Sequence, residues 1–142
     1  MRGINMNLGE KLMSKDKDIF KHEETAEIRS KNLSKLLGED TFIKLKGIDS
    51  GLYTSFMALS VDKKGRTDLT KTRDSFALIV VEGMSYPNLK EERLQEHFGA
   101  ATPKELAKMM FKGSELNDIA AKIGELSGFD SDSEEEEEEV KN

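Results

Sequence analysis

Hydrophobic residues change their spacing several times along this chain, and the changes mark out its elements. Over residues 1–24 they are sparse: Leu8, Leu12, Met13, Ile19 and Phe20 sit among charges and amides. A short helix around Leu8–Met13 and then a charged linker are expected there, within a flexible N-terminal segment 1–24. From Thr25 to Ser30, and again from Thr41 to Ile48, apolar and polar residues alternate, the second run interrupted in part by Phe42, Leu45 and Gly47. This alternation predicts a β-hairpin. Between the two runs lies LSKLLG, where Gly38, followed by Glu39 and Asp40, supplies a turn or the end of a helical turn. A helix over residues 27–37 is the rival to the hairpin.

Helical spacing takes over at Asp49 and Ser50, both able to cap a helix. Leu52, Phe56 and Leu59 follow at i, i+4 and i+7, which predicts a core-facing helix. The stretch DKKGRTDLT is a polar loop, and Thr70 can cap the segment that follows it. The apolar run in that segment, Phe76 to Val81, suits a buried strand or a helix. Helix is preferred because KTRDS before it is favourable helix material, while Gly83 and Pro87 provide a stop. Further helices are expected over Lys90 to Phe98, Pro103 to Phe111, and Ser114 to near Gly128. The strongest local signal is Thr102-Pro103-Lys104-Glu105. Threonine caps the free amides of a first turn, proline loses nothing at the first helical position, and Glu105 is placed to complete a capping box. Leu116, Ile119, Ala120, Ile123 and Leu126 then form one apolar stripe. The expected fold is therefore α+β and mainly α-helical: a short N-terminal β-hairpin, then a bundle of about five helices.

Composition narrows the organisation. With 142 residues the chain suits one globular domain, placed at 25–129, and its 36% apolar against 35% charged residues require the apolar positions to be concentrated on particular faces. There is no cysteine, which excludes disulfides, thiolate metal sites and thiol nucleophiles. The Phe76–Val81 run is far shorter than the roughly 20 residues of a membrane span, and the N-terminus lacks a secretory pattern. A soluble chain without export is expected. Residues 130–142 set eight carboxylates, Asp130, Asp132 and Glu134 to Glu139, against Lys141. Of the whole-chain charge of −6, a net −7 therefore sits in this segment and the first 129 residues are left at +1. Mutual repulsion and the lack of anything to bury predict a disordered acidic tail over 130–142, and the near-neutral body offers no field to attract nucleic acid or an acidic membrane.

Catalytic chemistry finds little to work with. His22 and His97 stand alone, without a second histidine at ligand spacing. Glu23-Glu24 and Glu91-Glu92 lie in strongly charged surroundings that suit solvated faces. No phosphate-cradling or dinucleotide glycine motif is present, and Lys63, Lys64 and Arg66 have no interleaved aromatic residue. DSDSEEE lacks the glycine and ligand spacing of a calcium loop. No catalytic residue, cofactor or metal ligand is expected, and the chain reads as a non-enzyme. Binding suits it better. Met109, Met110 and Phe111, with Leu116, Ile119 and Ile123, are the candidate partner-binding residues, because methionine adapts its shape to varied surfaces. Core packing is the commoner role of such a stripe.

The second half, VVEGMSYPNLKEERLQEHFGAATPKELAKMMFKGSELNDIAAKIGELSGFD, resembles the tail assembly chaperones of siphophages, of the XkdN-like type. The resemblance rests on VVEG followed by the Pro87-Asn88-Leu89 turn, a leucine-containing helix ending at Gly99, and the Thr102-Pro103 helix start. It continues through the Gly113-Ser114-Glu115 turn, a helix of the form I-x-x-L-S-G-F-D, and an acidic stretch ending in VKN. The order and spacing extend over residues 80–142. FIKLKGIDSGLYTSF agrees more loosely, and residues 1–24 have no counterpart. Ser114 stands where proline is common, and the tail is richer in glutamate than usual. The resemblance implies a mainly helical α+β chaperone with no catalytic residue. It would hold the phage tape-measure protein soluble in the cytoplasm of the bacterial host and be absent from the mature virion. The major tail (tube) protein and a second copy of the chain are further candidate partners. A structural tail or head-completion subunit of the virion is the alternative, and an acidic-tailed cellular chaperone or nucleic-acid mimic a third.

Overall fold

A computed structural model describes residues 6–129. The expected tail, 130–142, lies outside the described residues. Near the N-terminus the amide-rich start becomes helix α1 (Leu8–Met13), capped by Asn7, whose side-chain oxygen accepts from the Glu10 N–H at 2.8 Å. A single 3-10 turn covers Ile19–Lys21.

Both alternating runs form strands, β1 (Thr25–Arg29) and β2 (Phe42–Lys46), and they pair antiparallel with Thr25 opposite Lys46 and Arg29 opposite Phe42. The link between them is not a tight turn. It holds helix α2 (Lys31–Leu37), capped by Ser30 and ended by Gly38 in the left-handed conformation at φ 74°. Hairpin and helix, rivals from sequence, are thus both present in series. Ser34 closes the far end of the excursion, its hydroxyl accepting from the Thr41 N–H at 2.9 Å. A third strand, β3 (Met84–Tyr86), pairs with β2 through a bulge at Lys44/Leu45 and completes a sheet of order β1-β2-β3. The sequence pattern did not predict it.

Helix α3 (Ser50–Ala58) is capped by the Asp49 carboxylate, as expected. Its inward face is a different one. Leu52 and Leu59 are exposed, whereas Tyr53, Phe56 and Met57 pack on the core. The cause lies on the neighbouring helix: Gly124 leaves a space that the Tyr53 ring fills, a Cβ there falling 2.7 Å from its hydroxyl. Helix α4 (Leu69–Gly83) begins two residues earlier than a Thr70 cap would allow, because Asp68 is the cap, accepting from the Thr70 N–H at 2.9 Å and its hydroxyl at 2.6 Å. The run Phe76 to Val81 is helical, as preferred, and its Ala77, Ile79 and Val80 are wholly buried. After the cis Tyr86–Pro87 peptide come α5 (Glu92–Phe98), α6 (Pro103–Met110) and α7 (Ser114–Leu126). Thr102 caps α6 by accepting from the Glu105 N–H at 3.1 Å, one arm of the expected box.

The core lies between the inner face of the sheet (Ile43, Leu45, Met84) and the layer formed by α4, α6 and α7. Two close approaches set its dimensions. A Cβ on Gly83 would fall 2.5 Å from Ile123 of α7, and one on Gly47 would overlap the Leu126 carbonyl oxygen. At that second contact the end of α7 is tied to the exit of β2, with the Ile48 N–H donating to the Ser127 hydroxyl at 2.8 Å and the Ser50 hydroxyl to the Ser127 carbonyl at 3.0 Å.

Two outcomes follow from this packing. Gly47→Ala meets backbone that no rotamer change can move, so it lowers stability by about 1–3 kcal/mol in urea unfolding. Asp74 on α4 faces Lys108 at 2.7 Å and Lys104 at 3.8 Å on α6. The Lys108 hydrogen bond, against partial burial and with the attraction of Lys104, holds its carboxyl below the ordinary range. A carboxylate with a lowered folded-state pKa contributes stability above the unfolded value and loses it as the pH falls through the folded one. Wild type therefore loses stability relative to Asp74→Asn as the pH drops below about 4, by less than about 1 kcal/mol because both partners are partly exposed. Unfolding curves of the two proteins at neutral and acid pH measure it.

Candidate partner-binding groove

Helix α2 owes its position to polar contacts. The Glu115 carboxylate, in the first turn of α7, accepts from the Lys31 N–H at 2.6 Å, from the Asn32 N–H at 3.3 Å and from the Ser30 hydroxyl at 3.2 Å. An anion placed on the free amides of a helix N-terminus satisfies donors that have no partner within the helix, and its charge is favoured there. The Asn32 side-chain amide also donates to the Met110 carbonyl. From α4, Arg73 reaches the carbonyls of Phe111 at 2.8 Å and Gly113 at 3.0 Å, holding the α6–α7 corner that presents Glu115.

Docked in this way, α2 forms one wall of an apolar groove. Leu33 and Leu36 face Leu94 and Phe98 of α5, Leu106, Met109 and Met110 of α6, and Pro87, around a volume of about 240 Å³. The rim is open: Leu36 is 70% exposed, Phe98 53% and Met109 45%. Leu37, next to Leu36, is 64% exposed as well. Every residue lining the groove is apolar, so it presents the concave form that takes side chains of a partner.

The six sequence-derived candidates divide between groove and core. Met109 and Met110 line the groove. Phe111, Leu116, Ile119 and Ile123 are buried at 0–1% exposure in the main core. Leu33, Leu36, Leu94 and Phe98 were not singled out from sequence, although the paired leucines of LSKLLG before a capping glycine were a usable signal. His22 and His97 lie at separate surface clefts. Among the described residues no three His, Cys, Asp or Glu side chains converge as metal ligands, and no helix is long and apolar enough to cross a membrane.

Comparison with known proteins agrees with the reading of the second half and extends it. The family model described as "Phage XkdN-like tail assembly chaperone protein, TAC" matches residues 10–141. The chain is 36% identical over 84 residues to the uncharacterized protein YqbN of Bacillus subtilis (strain 168), covering 58% of this chain and 56% of that protein. It is 33% identical over 84 residues to the phage-like element PBSX protein XkdN of the same organism, covering 58% and 57%. The matches thus span a little over half the length of these curated relatives. The crystal structure of the protein YqbN shares the fold with a TM-score of 0.53 at 24% identity, over 75% of this chain and 88% of that one. With the family model matching from Glu10 almost to the C-terminus, this chain belongs to the XkdN-like family of phage tail assembly chaperones.

Proposed function

We propose that this chaperone binds the tape-measure protein of the phage tail, and that the groove between α2 and the α5–α6 pair is where it does so. The observation that carries the reading is the groove itself: eight apolar side chains on four segments, with Leu36, Phe98 and Met109 open to solvent. A long helical partner presents apolar residues at i, i+3 or i+4, and i+7, the pattern that fits a groove walled by helices. Methionine at two of the lining positions suits varied sequences along such a partner. In this reading the body, 25–129, acts as one folded unit in the host cytoplasm. The acidic residues 130–142 keep the loaded complex dispersed, and stronger binding by tube subunits releases the chaperone, which is left out of the finished virion.

Co-expression with the tape-measure protein of the same phage or prophage, followed by pull-down and measurement of its soluble fraction, tests this. Binding that keeps the partner soluble is the expected result. No binding, with this chain present stoichiometrically in purified particles, would move the assignment to a structural subunit. Within the groove, Leu36→Glu and Met109→Glu should each weaken capture at least about tenfold while leaving thermal stability nearly unchanged. Ile119→Asp should instead unfold the protein. Glu115→Ala frees the α2 wall without altering any apolar residue, and it should weaken capture as well as lower stability by about 1–2 kcal/mol, because the first amides of α2 lose their charged acceptor.

A further inference from the structure

Strand β1 is the edge of the sheet, and its backbone shows which groups are unused. The bonds flanking the β1–β2 ladder run from the Gly47 N–H to the Glu24 carbonyl and from the Ser30 N–H to the Thr41 carbonyl, both at 2.8 Å. In an antiparallel ladder bonded and non-bonded pairs alternate, so Ala26 and Ile28 bond to β2. Thr25, Glu27 and Arg29 point their N–H and C=O groups the other way, and among the described residues no group bonds to them. The core-facing side chains tell the same story. Ile43 and Leu45 of the central strand are 0% exposed, whereas Ala26 and Ile28 on the same face remain only partly buried. One more strand would cover them.

We propose that a second copy of this chain supplies that strand: two β1 strands pair antiparallel about a two-fold axis at Ile28, with Glu27 of each copy opposite Arg29 of the other. Charge selects both occupant and register. With the axis at Glu27, two carboxylates would stand directly opposite each other, a destabilising pair. Moving the axis by one residue sets Glu27 against Arg29 on the outer face, twice by symmetry, and each such pair exchanges both of its backbone bonds. On the inner face it brings the two Ile28 side chains together at the axis, in the closer type of cross-strand pair. Arg29 already holds Asp40 through Nε at 2.9 Å, which leaves its terminal nitrogens to meet the incoming carboxylate. The self-complementary patch is what a two-fold interface requires. Pairing stops at Ser30, because the next amide, Lys31, belongs to α2 and is held by Glu115. The result is a continuous sheet of both copies, with a groove-bearing α2 on either side of one axis.

The test is the mass of the full chain by light scattering or sedimentation from micromolar to millimolar concentration. A dimer that dissociates on dilution is expected. Glu27→Pro removes one outward N–H and no bond to β2, so it should leave the circular dichroism unchanged and the protein monomeric. Glu27→Arg and Arg29→Glu, each alone, should weaken dimerisation at least about tenfold, because each sets like charges opposite one another. An equimolar mixture of the two variants should form heterodimers, since both 27–29 pairs then join an arginine of one chain to a glutamate of the other. A wild type that stays monomeric throughout overturns the proposal. So does a dimer that persists in folded Glu27→Pro, or two charge variants that fail to pair when mixed; should Glu27→Pro not fold, the mixing experiment decides alone.

Discussion

Helix α4 is the constraint around which the chain is arranged. From Ser75 to Val81 it carries no charge, and most of that stretch is inaccessible to water. A helix apolar around most of its circumference cannot rest on a single neighbour. It needs cover on several sides, and α3, α6, α7 and β3 each supply one. Glycine at position 83 lets α7 come near enough for Ile123 to sit against the α4 backbone, and Gly124 admits Tyr53 from α3. Interior packing at crystal-like density makes such contacts intolerant of added atoms, so the two glycines fix where α7 lies. Once α7 is fixed, so is Glu115 at its start.

That carboxylate decides whether there is a groove at all. Had α2 docked by burying all its leucines and not Leu33 alone, Leu36 and Leu37 would belong to the core and nothing apolar of the helix would be left for a partner. Docking instead runs through polar groups: Glu115 accepts from the first amides of the helix, the Asn32 amide donates to the Met110 carbonyl, and the Ser34 hydroxyl accepts from the Thr41 N–H. Apolar surface can then stay exposed without the helix coming loose. The polar tether and the exposed leucines are two aspects of one arrangement.

Local signals in the sequence were legible for the same reason that they are local. Thr102-Pro103, the α7 stripe, Asp49 and the α4 run each carry their information within a turn or two of helix, and the structure has a helix at each. The alternation of Thr25–Ser30 and Thr41–Ile48 likewise became strands. What sequence concealed depended on residues far apart. Glu115 looks like an ordinary first-turn acid until the Lys31 amide, 84 positions away, is beside it. Strand β3 has three residues, too few for a period, and exists because β2 offers an edge. The face of α3 was misassigned by one residue, from Leu52 to Tyr53, because both choices share Phe56 and only the gap at Gly124 separates them. The run from Met109 to Phe111 divides at the end of α6: two side chains go to the groove, while Phe111, outside the helix, turns into the core.

Groove and strand edge meet in the energetics of the proposed function. A space of about 240 Å³ holds a few large side chains of a partner helix, each contributing about 1.5–3 kcal/mol on full burial. Association itself costs a comparable amount, so one groove binds weakly. Weak single-site binding suits an assembly factor that has to leave, but it would not hold a long apolar partner in solution. Linking two sites raises the effective concentration of the second and strengthens the whole without strengthening either part. Pairing through β1 would join two grooves about one axis, with the affinity of each unchanged. Tight holding of an extended chain and easy local release then follow from the number of weak contacts, since a competing tail subunit needs to displace only one groove at a time.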